Sequence, residues 1–332
     1  MKKCVLILPY FGKFNNYFPL FLRSCKANPS YDFLIFTDNT EHYVYPSNVH
    51  VVPMTLNEFK TNAAIKLGFK PCIPRPYKLC DFKPAYGFLF EEYIQNYEYW
   101  GHCDCDLIFG NLGKILTPIL EKGYDKVFAA GHLTIYRNTH ENNRRFMKPL
   151  NGHEIYREAF TTSKIYVFDE NVACWMNPNR KNVHSIFKQD NCEIFEEDLS
   201  YNVSTQKSVI TRTKYNPRTQ GFSVISLPYS RVGYYFTNSG VHEIAWDNSK
   251  SSITKRDYLY MHLQSRHMRI NDKDFSASVI SIRPDRFIGL NQIPQSKKQI
   301  PLIIFQKLNM FWIDTYKMKI IKKIRSFNKR EQ

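Results

Sequence analysis

The chain has 332 residues, of which 43% are hydrophobic and 15% aromatic. That much apolar area buries a substantial core, which excludes a disordered chain and sets the expectation at one large domain or two modest ones. A formal charge of +16 points to an anionic partner, either nucleic acid, a phosphorylated substrate or an acidic membrane, and half of the excess lies in residues 295–332, where ten basic residues meet two acidic ones.

Lys2 and Lys3 precede an apolar run, Cys4 to Leu8, that stops at Pro9. This is shorter than the roughly seven to fifteen apolar residues of a secretion signal. No stretch approaches the roughly 18 uninterrupted apolar residues of a membrane span, so a cytoplasmic protein is expected. The eight cysteines, at 4, 25, 72, 80, 103, 105, 174 and 192, lack the spacing of a disulfide framework or a zinc ribbon. Reduced thiols are expected, and His102, Cys103 and Cys105 have no second ligand pair to complete a zinc site.

In chain order, "KKCVLILPYFG" is an apolar run ending in turn-forming residues, as a buried strand of an α/β sheet does. "NNYFPLFLRSCKANP" predicts a helix, "YDFLIFTDN" a second strand and "VHVVPM" at 49–54 a third. Such an order begins an open, largely parallel sheet. "PYKLCDFKPAYGFLFEEYIQNY" at 76–97 predicts a helical region interrupted near Pro84, leading to "EYWGHCDCDLIFGNLGKIL" at 98–116. "YDKVFAAG" at 124–131 is the next strand. From about 138 to 220 the weak periodicity predicts helices and long loops over the sheet. "DYLYMHLQSRHM" at 257–268 is again strand-like, and a basic tail begins near Pro294.

Ligands of open α/β sheets bind beyond the carboxyl ends of the strands, where Asp38, Asp104, Asp106 and Gly131 are predicted to lie. Asp104 and Asp106, two residues apart at a strand end, can both reach one divalent cation, and hard oxygen ligands suit Mg²⁺ or Mn²⁺. Such an ion neutralises a diphosphate, so that the bond to the group beyond it breaks with less charge penalty. The same tripeptide also fits a solvated turn without a ligand.

The stretches "PYKLCDFKPAYG", "GHCDCDLIFGNL", "GHLTIYRN", "FDE" and "YLYMHLQSR" make residues 1–285 resemble the GT-A glycosyltransferases, and more narrowly bacterial enzymes that build capsule or O-antigen polysaccharide. The resemblance implies a Rossmann-like open mixed sheet flanked by helices over residues 1–293, with residues 1–131 binding the nucleotide sugar and 132–293 the acceptor. It gives a metal and diphosphate role to Asp104 and Asp106 and the role of late metal ligand to His262, which also fits a core histidine. Gln264 and Arg266 alternate with His262 along the predicted strand and would face the same site. Pro9, Tyr10, Thr37 and Asp38 look like the nucleoside pocket, and Cys105 lies within the motif itself.

Lys78, suited to phosphate, and Asp81, suited to sugar hydroxyls, precede the motif together with Lys83; a solvated helix face fits them equally. His132 and Arg137 are candidate acceptor or phosphate contacts. Inverting transfer needs a carboxylate to deprotonate the acceptor hydroxyl. Asp169, and then Glu170, resemble that base, while Glu196, Glu197 and Asp198 form a second acidic candidate; capping accounts for either set as well.

In the tail, Leu308, Phe311, Trp312, Tyr316 and Ile320 fall near one helical stripe among lysines. Such a helix lies in an anionic membrane surface, which suits a polyprenyl-linked acceptor, or packs on the main domain with a basic outer face. The combined expectation is a metal-dependent glycosyltransferase moving a sugar from a nucleoside-diphosphate sugar, UDP first, to a lipid-linked or growing surface polysaccharide at the inner face of the cell membrane. Two alternatives stand beside it: a haloacid-dehalogenase-like phosphatase, and a basic nucleic-acid-binding protein, for which no motif stands out outside the tail.

Overall fold

The computed structural model describes residues 2–332 except 171–180, 205–207, 217, 219–220, 227–228, 272, 274, 308–312, 314–315, 318–319 and 322–332. The apolar runs become strands β1 (Lys2–Pro9), β2 (Tyr31–Thr37), β3 (Val49–Pro53) and β4 (Tyr97–Cys103), which lie parallel to one another in the order β3-β2-β1-β4. β1 is central and apolar on both faces, as a parallel strand must be. Val5 and Ile7 face a core containing Phe36, Phe59 and Trp100, while Cys4, Leu6 and Leu8 face another containing Phe21, Phe33 and Tyr99. Helix α1 (Phe18–Lys26) covers the second face, as predicted. Helix α2 (Leu56–Leu67), which the sequence reading passed over, starts at a reciprocal cap between Thr55 and Glu58 and ends at Gly68 in the left-handed region.

The predicted helical region at 76–97 is a 3₁₀ helix, Pro76–Ala85, followed by two single turns, Tyr86–Leu89 and Glu91–Ile94. Pro84 lies inside the 3₁₀ stretch. After β4 the chain forms β5 (Leu107–Phe109), the short β6 (Lys126–Val127) and β7 (Leu133–Arg137). The middle region holds the helices His140–Arg144, Ile155–Thr161 and Val183–Gln189, then β8 (Ile194–Phe195), β9 (Ser200–Val203) and β10 (Ile210–Asn216). β11 (Gly221–Ile225), β12 (Val232–Thr237), β13 (Gly240–Asp247), β14 (Ser252–Tyr258), β15 (Tyr260–His262), β16 (Val279–Ile282) and β17 (Phe287–Leu290) follow.

These strands make a mixed α/β architecture of three sheets rather than one. The first is completed by antiparallel β7, then β6 and β8; the second runs β11-β10-β9-β15-β5; the third, β14-β13-β12-β16-β17, is entirely antiparallel. The start of the expected tail packs on the third sheet. Ile300 is fully buried, Leu302 bridges to Arg231, and the Gln306 side chain donates to the Val232 carbonyl. Beyond it, Ile313, Tyr316, Ile320 and Ile321 are helical and exposed, whereas Leu308, Phe311 and Trp312 lie outside the described residues. No helix among the described residues is long and apolar enough to cross a membrane.

Candidate active site

The acidic pair stands where the chain leaves one sheet for another. β4 ends at Cys103, Asp104, Cys105 and Asp106 follow, and β5 begins at Leu107 in the second sheet. β5 pairs antiparallel with β15 in the register His262↔Leu107, which brings the end of β15 against Asp106. Leu263 N–H donates to the Asp106 carbonyl at 2.9 Å, and His262 Nε2 stands 3.5 Å from Asp106 Oδ1. The strand stops there, because Gln264 and Ser265 turn with φ of 56° and 51°. That turn lets Ser265 donate to Asp106 Oδ2 through both its backbone N–H and its hydroxyl. Asp104, Asp106 and His262 thereby place ligand atoms within 4.8 Å of one another.

These residues line a cavity of about 480 Å³, with Asp169 and Glu170 also in its wall. Lys83 connects the two acidic groups: its ammonium lies 2.8 Å from Asp104 Oδ1 and 3.3 Å from Asp169 Oδ2, and donates to the Gly131 carbonyl at 2.9 Å. Gly131 is required by close approach. A Cβ there would stand 2.3 Å from Glu170 Cγ and 2.5 Å from Asp169 Oδ2. The segment leading to Asp169 is held by Asp81, which accepts from Tyr166 N–H at 2.8 Å and Phe168 N–H at 3.0 Å. Between them Val167 sits at φ 66°, a left-handed conformation costly for a β-branched residue.

The charges in the cavity are unevenly compensated. Burial pushes the carboxyls of Asp104 and Glu170 above the usual range and that of Asp169 well above it, against the pull of Lys83. Burial also acts upward on Asp106, but His262 and the two Ser265 hydrogen bonds outweigh it and hold the group well below the usual range. For Lys83 and His262 burial disfavours the charged form, yet the surrounding carboxylates win and raise both.

A divalent cation fits this donor set. Asp106 Oδ1 is buried and has no hydrogen-bond partner among the described residues. His262 Nδ1 meets the Asn202 amide oxygen at 3.0 Å, and Asn202 is oriented by donating its own NH₂ to Ser200. Nδ1 therefore carries the proton, leaving Nε2 to hold either a second proton or a metal. Two carboxylates and one imidazole suit Mn²⁺ or Mg²⁺, and such an ion would discharge an acidic cluster that burial has made unfavourable.

Of the residues singled out from sequence, Pro9, Tyr10, Asp104, Cys105, Asp106, Asp169, Glu170, His262 and Gln264 line this cavity. Thr37 and Asp38 lie outside its lining; Asp38 instead accepts from the N–H of Gly12, whose φ of 102° suits glycine. Lys78 is fully buried and spends its ammonium on Asp81 and on the carbonyls of Ala159 and Lys164, each at 2.7 Å. Its expected phosphate contact, and the sugar contact of Asp81, are corrected to a structural pair that braces the Asp169 segment. Arg266 follows the turn rather than continuing a strand, and donates to the carbonyls of Pro284 and Ser204.

His132 stacks near His262, with ring centroids 4.3 Å apart, and bonds Tyr260 OH at 2.8 Å; burial keeps it neutral. Arg137 is exposed at the far end of β7. Glu196 pairs with His184 and Lys188, and Asp198 bonds Ser200 and Thr213, so both are engaged away from the cavity; Glu197 is absent from its lining. Sequence reasoning gave Lys83 no role of its own and missed Tyr77, Cys80 and Tyr86. All four line the cavity at intervals of three, the repeat of the 3₁₀ helix.

No functionally curated protein matches the chain. Among solved structures, the galactosyltransferase LgtC, determined with donor and acceptor sugar analogues, is similar over 60% of this chain and 75% of its own, with 7% identity and a TM-score of 0.34. A likeness of that size assigns no function. Residues 6–291 match the family described as DUF6625, a family of unknown function, and the chain belongs to that family.

Proposed function

We propose that this protein is a metal-dependent glycosyltransferase that uses a nucleoside-diphosphate sugar. The observation carrying the reading is the Asp104–Asp106–His262 cluster, with a buried Asp106 oxygen that accepts no hydrogen bond among the described residues, in the wall of a cavity that also holds Asp169 and Glu170. Four carboxylates outnumber the Lys83 ammonium and the His262 imidazole in the cavity, so an anionic diphosphate enters more favourably together with a cation. When bound, a divalent ion there would neutralise the leaving diphosphate. Asp104, Asp106 and His262 would hold it, with Asn202 fixing the imidazole and Ser265 fixing the Asp106 carboxylate.

On this reading Pro9, Tyr10, Cys105 and Gln264 border the nucleotide, UDP being the first to test. Asp169 and Glu170 supply the carboxylate that takes the acceptor hydroxyl proton in an inverting transfer, and their upward-shifted carboxyls suit a proton acceptor working near neutral pH. Lys83 keeps Asp169 in place. The acceptor would be a polysaccharide or a polyprenyl-linked oligosaccharide at an anionic membrane surface. Support for that placement comes from the exposed Ile313, Tyr316, Ile320 and Ile321 and from the basic surplus of the last 38 residues.

The direct test is to incubate the full chain with UDP-, GDP-, CDP- and dTDP-sugars, with and without Mn²⁺, and to measure nucleoside-diphosphate release. Metal-dependent release from one donor, lost in Asp106→Asn, is the expected result. Release that ignores both the metal and the substitution would refute the reading.

A further inference from the structure

The Lys83 ammonium donates to the Gly131 carbonyl at 2.9 Å and forms ion pairs with Asp104 Oδ1 at 2.8 Å and Asp169 Oδ2 at 3.3 Å. Its charge is thus compensated inside the protein, yet one partner, Asp104, also belongs to the cluster suited to a cation. A divalent ion arriving at Asp104 therefore meets a positive charge already in place, within a cavity where low polarity strengthens the repulsion. The stem of Lys83 is a flexible four-carbon chain anchored on the 3₁₀ helix, so the ammonium can leave Asp104 without unfolding its support.

We propose that Lys83 is a built-in competitor for the cation at Asp104, keeping metal affinity low until a diphosphate enters and draws the ammonium off the carboxylate. The inference rests on the metal-dependent nucleotide reading above and adds a mechanism of coupling. Metal and nucleotide each bind better in the presence of the other because both displace the same internal ion pair. Linkage makes the effect reciprocal.

The test is Mn²⁺ binding to the full chain, followed by electron paramagnetic resonance of the free ion, alone and with UDP, GDP, CDP or dTDP. Lys83→Met should tighten Mn²⁺ binding without nucleotide by at least about tenfold, and Lys83→Arg, which keeps the charge, should stay near wild type. Nucleotide should enhance Mn²⁺ affinity less in Lys83→Met than in wild type. Lys83→Gln serves if circular dichroism shows the Met variant unfolded. A merely structural lysine would not produce a gain in affinity when removed. Equal or weaker Mn²⁺ binding in both neutral variants would overturn the inference while leaving the metal site standing, as would an undiminished nucleotide enhancement. Absence of Mn²⁺ binding in wild type and all variants would remove the metal reading itself, and this inference with it.

Discussion

Replacing Asp81 by Asn removes the charge from a pair whose side chains are both fully buried, Lys78 Nζ to Asp81 Oδ2 at 2.7 Å. The carboxylate also accepts the backbone N–H groups of Tyr166 and Phe168, and an Asn amide can present only one oxygen to these three donors. Breaking such a pair from one side costs about 3–5 kcal/mol, because the remaining charge stays buried without compensation. Against a total stability of about 5–15 kcal/mol this is a large fraction. Urea unfolding followed by tryptophan fluorescence, with the buried Trp100 as a reporter, should show a marked fall in midpoint for Asp81→Asn and a comparable fall for Lys78→Met. Nucleotide affinity of the folded Lys78→Met variant should change little, since Lys78 does not line the cavity. A stability loss below about 1 kcal/mol, accompanied by loss of nucleotide binding, would show that the pair serves a ligand and refute the reasoning.

Gly131→Ala should cut turnover about 100-fold, because relieving contacts of 2.3 and 2.5 Å requires Glu170 and Asp169 to move by about 1 Å; Mn²⁺ binding should survive, and turnover near wild type would contradict the close approach. Buried Lys126 is pushed down by desolvation to about 7 from the usual 10.5. Between those values the unfolded chain binds the extra proton, so its contribution to stability rises with pH by up to about 1.4 kcal/mol per unit and is flat below about 7. Lys126→Met should remove that rise in denaturation curves taken at intervals between pH 7 and 10, and identical slopes would refute it. Deleting residues 308–332, which spares the packed Ile300 and Gln306, should weaken sedimentation with phosphatidylglycerol vesicles, with about 1 kcal/mol lost per basic residue near the surface; equal sedimentation would remove the membrane role.

The parallel half of the first sheet was legible because its strands are buried on both faces and read as continuous apolar runs, such as "CVLIL". The second and third sheets were not, because their local hairpins are tied together by pairings between distant residues, β15 with β5 in the second and β12 with β16 in the third. β15 finds β5 across some 150 positions, and nothing local in "YMH" announces its partner. A nearer signal was present and passed over: "VGYYFTNSGVHEIAWD" sets aromatic and β-branched residues on both sides of an Asn-Ser-Gly turn and forms the β12–β13 hairpin.

Within the site, Asp104, Asp106 and His262 were readable by type and position, whereas the choice between Lys78 and Lys83 was not. An α-helical period sets them about 140° apart but does not say which of the two faces the cavity. A 3₁₀ period sends 77, 80, 83 and 86 to the cavity and turns 78 and 81 towards the Asp169 segment. Pro84 was the available clue, since its missing N–H already argues against an uninterrupted α-helix there.

The most direct test of the central claim is isothermal calorimetry of UDP, GDP, CDP and dTDP against the full chain, with and without Mn²⁺, repeated on Asp104→Asn/Asp106→Asn. The account predicts that one nucleotide binds only with the metal and that the double variant loses this binding while retaining its circular dichroism spectrum. Binding of none of the four to a folded sample, or unchanged binding in the double variant, would contradict it.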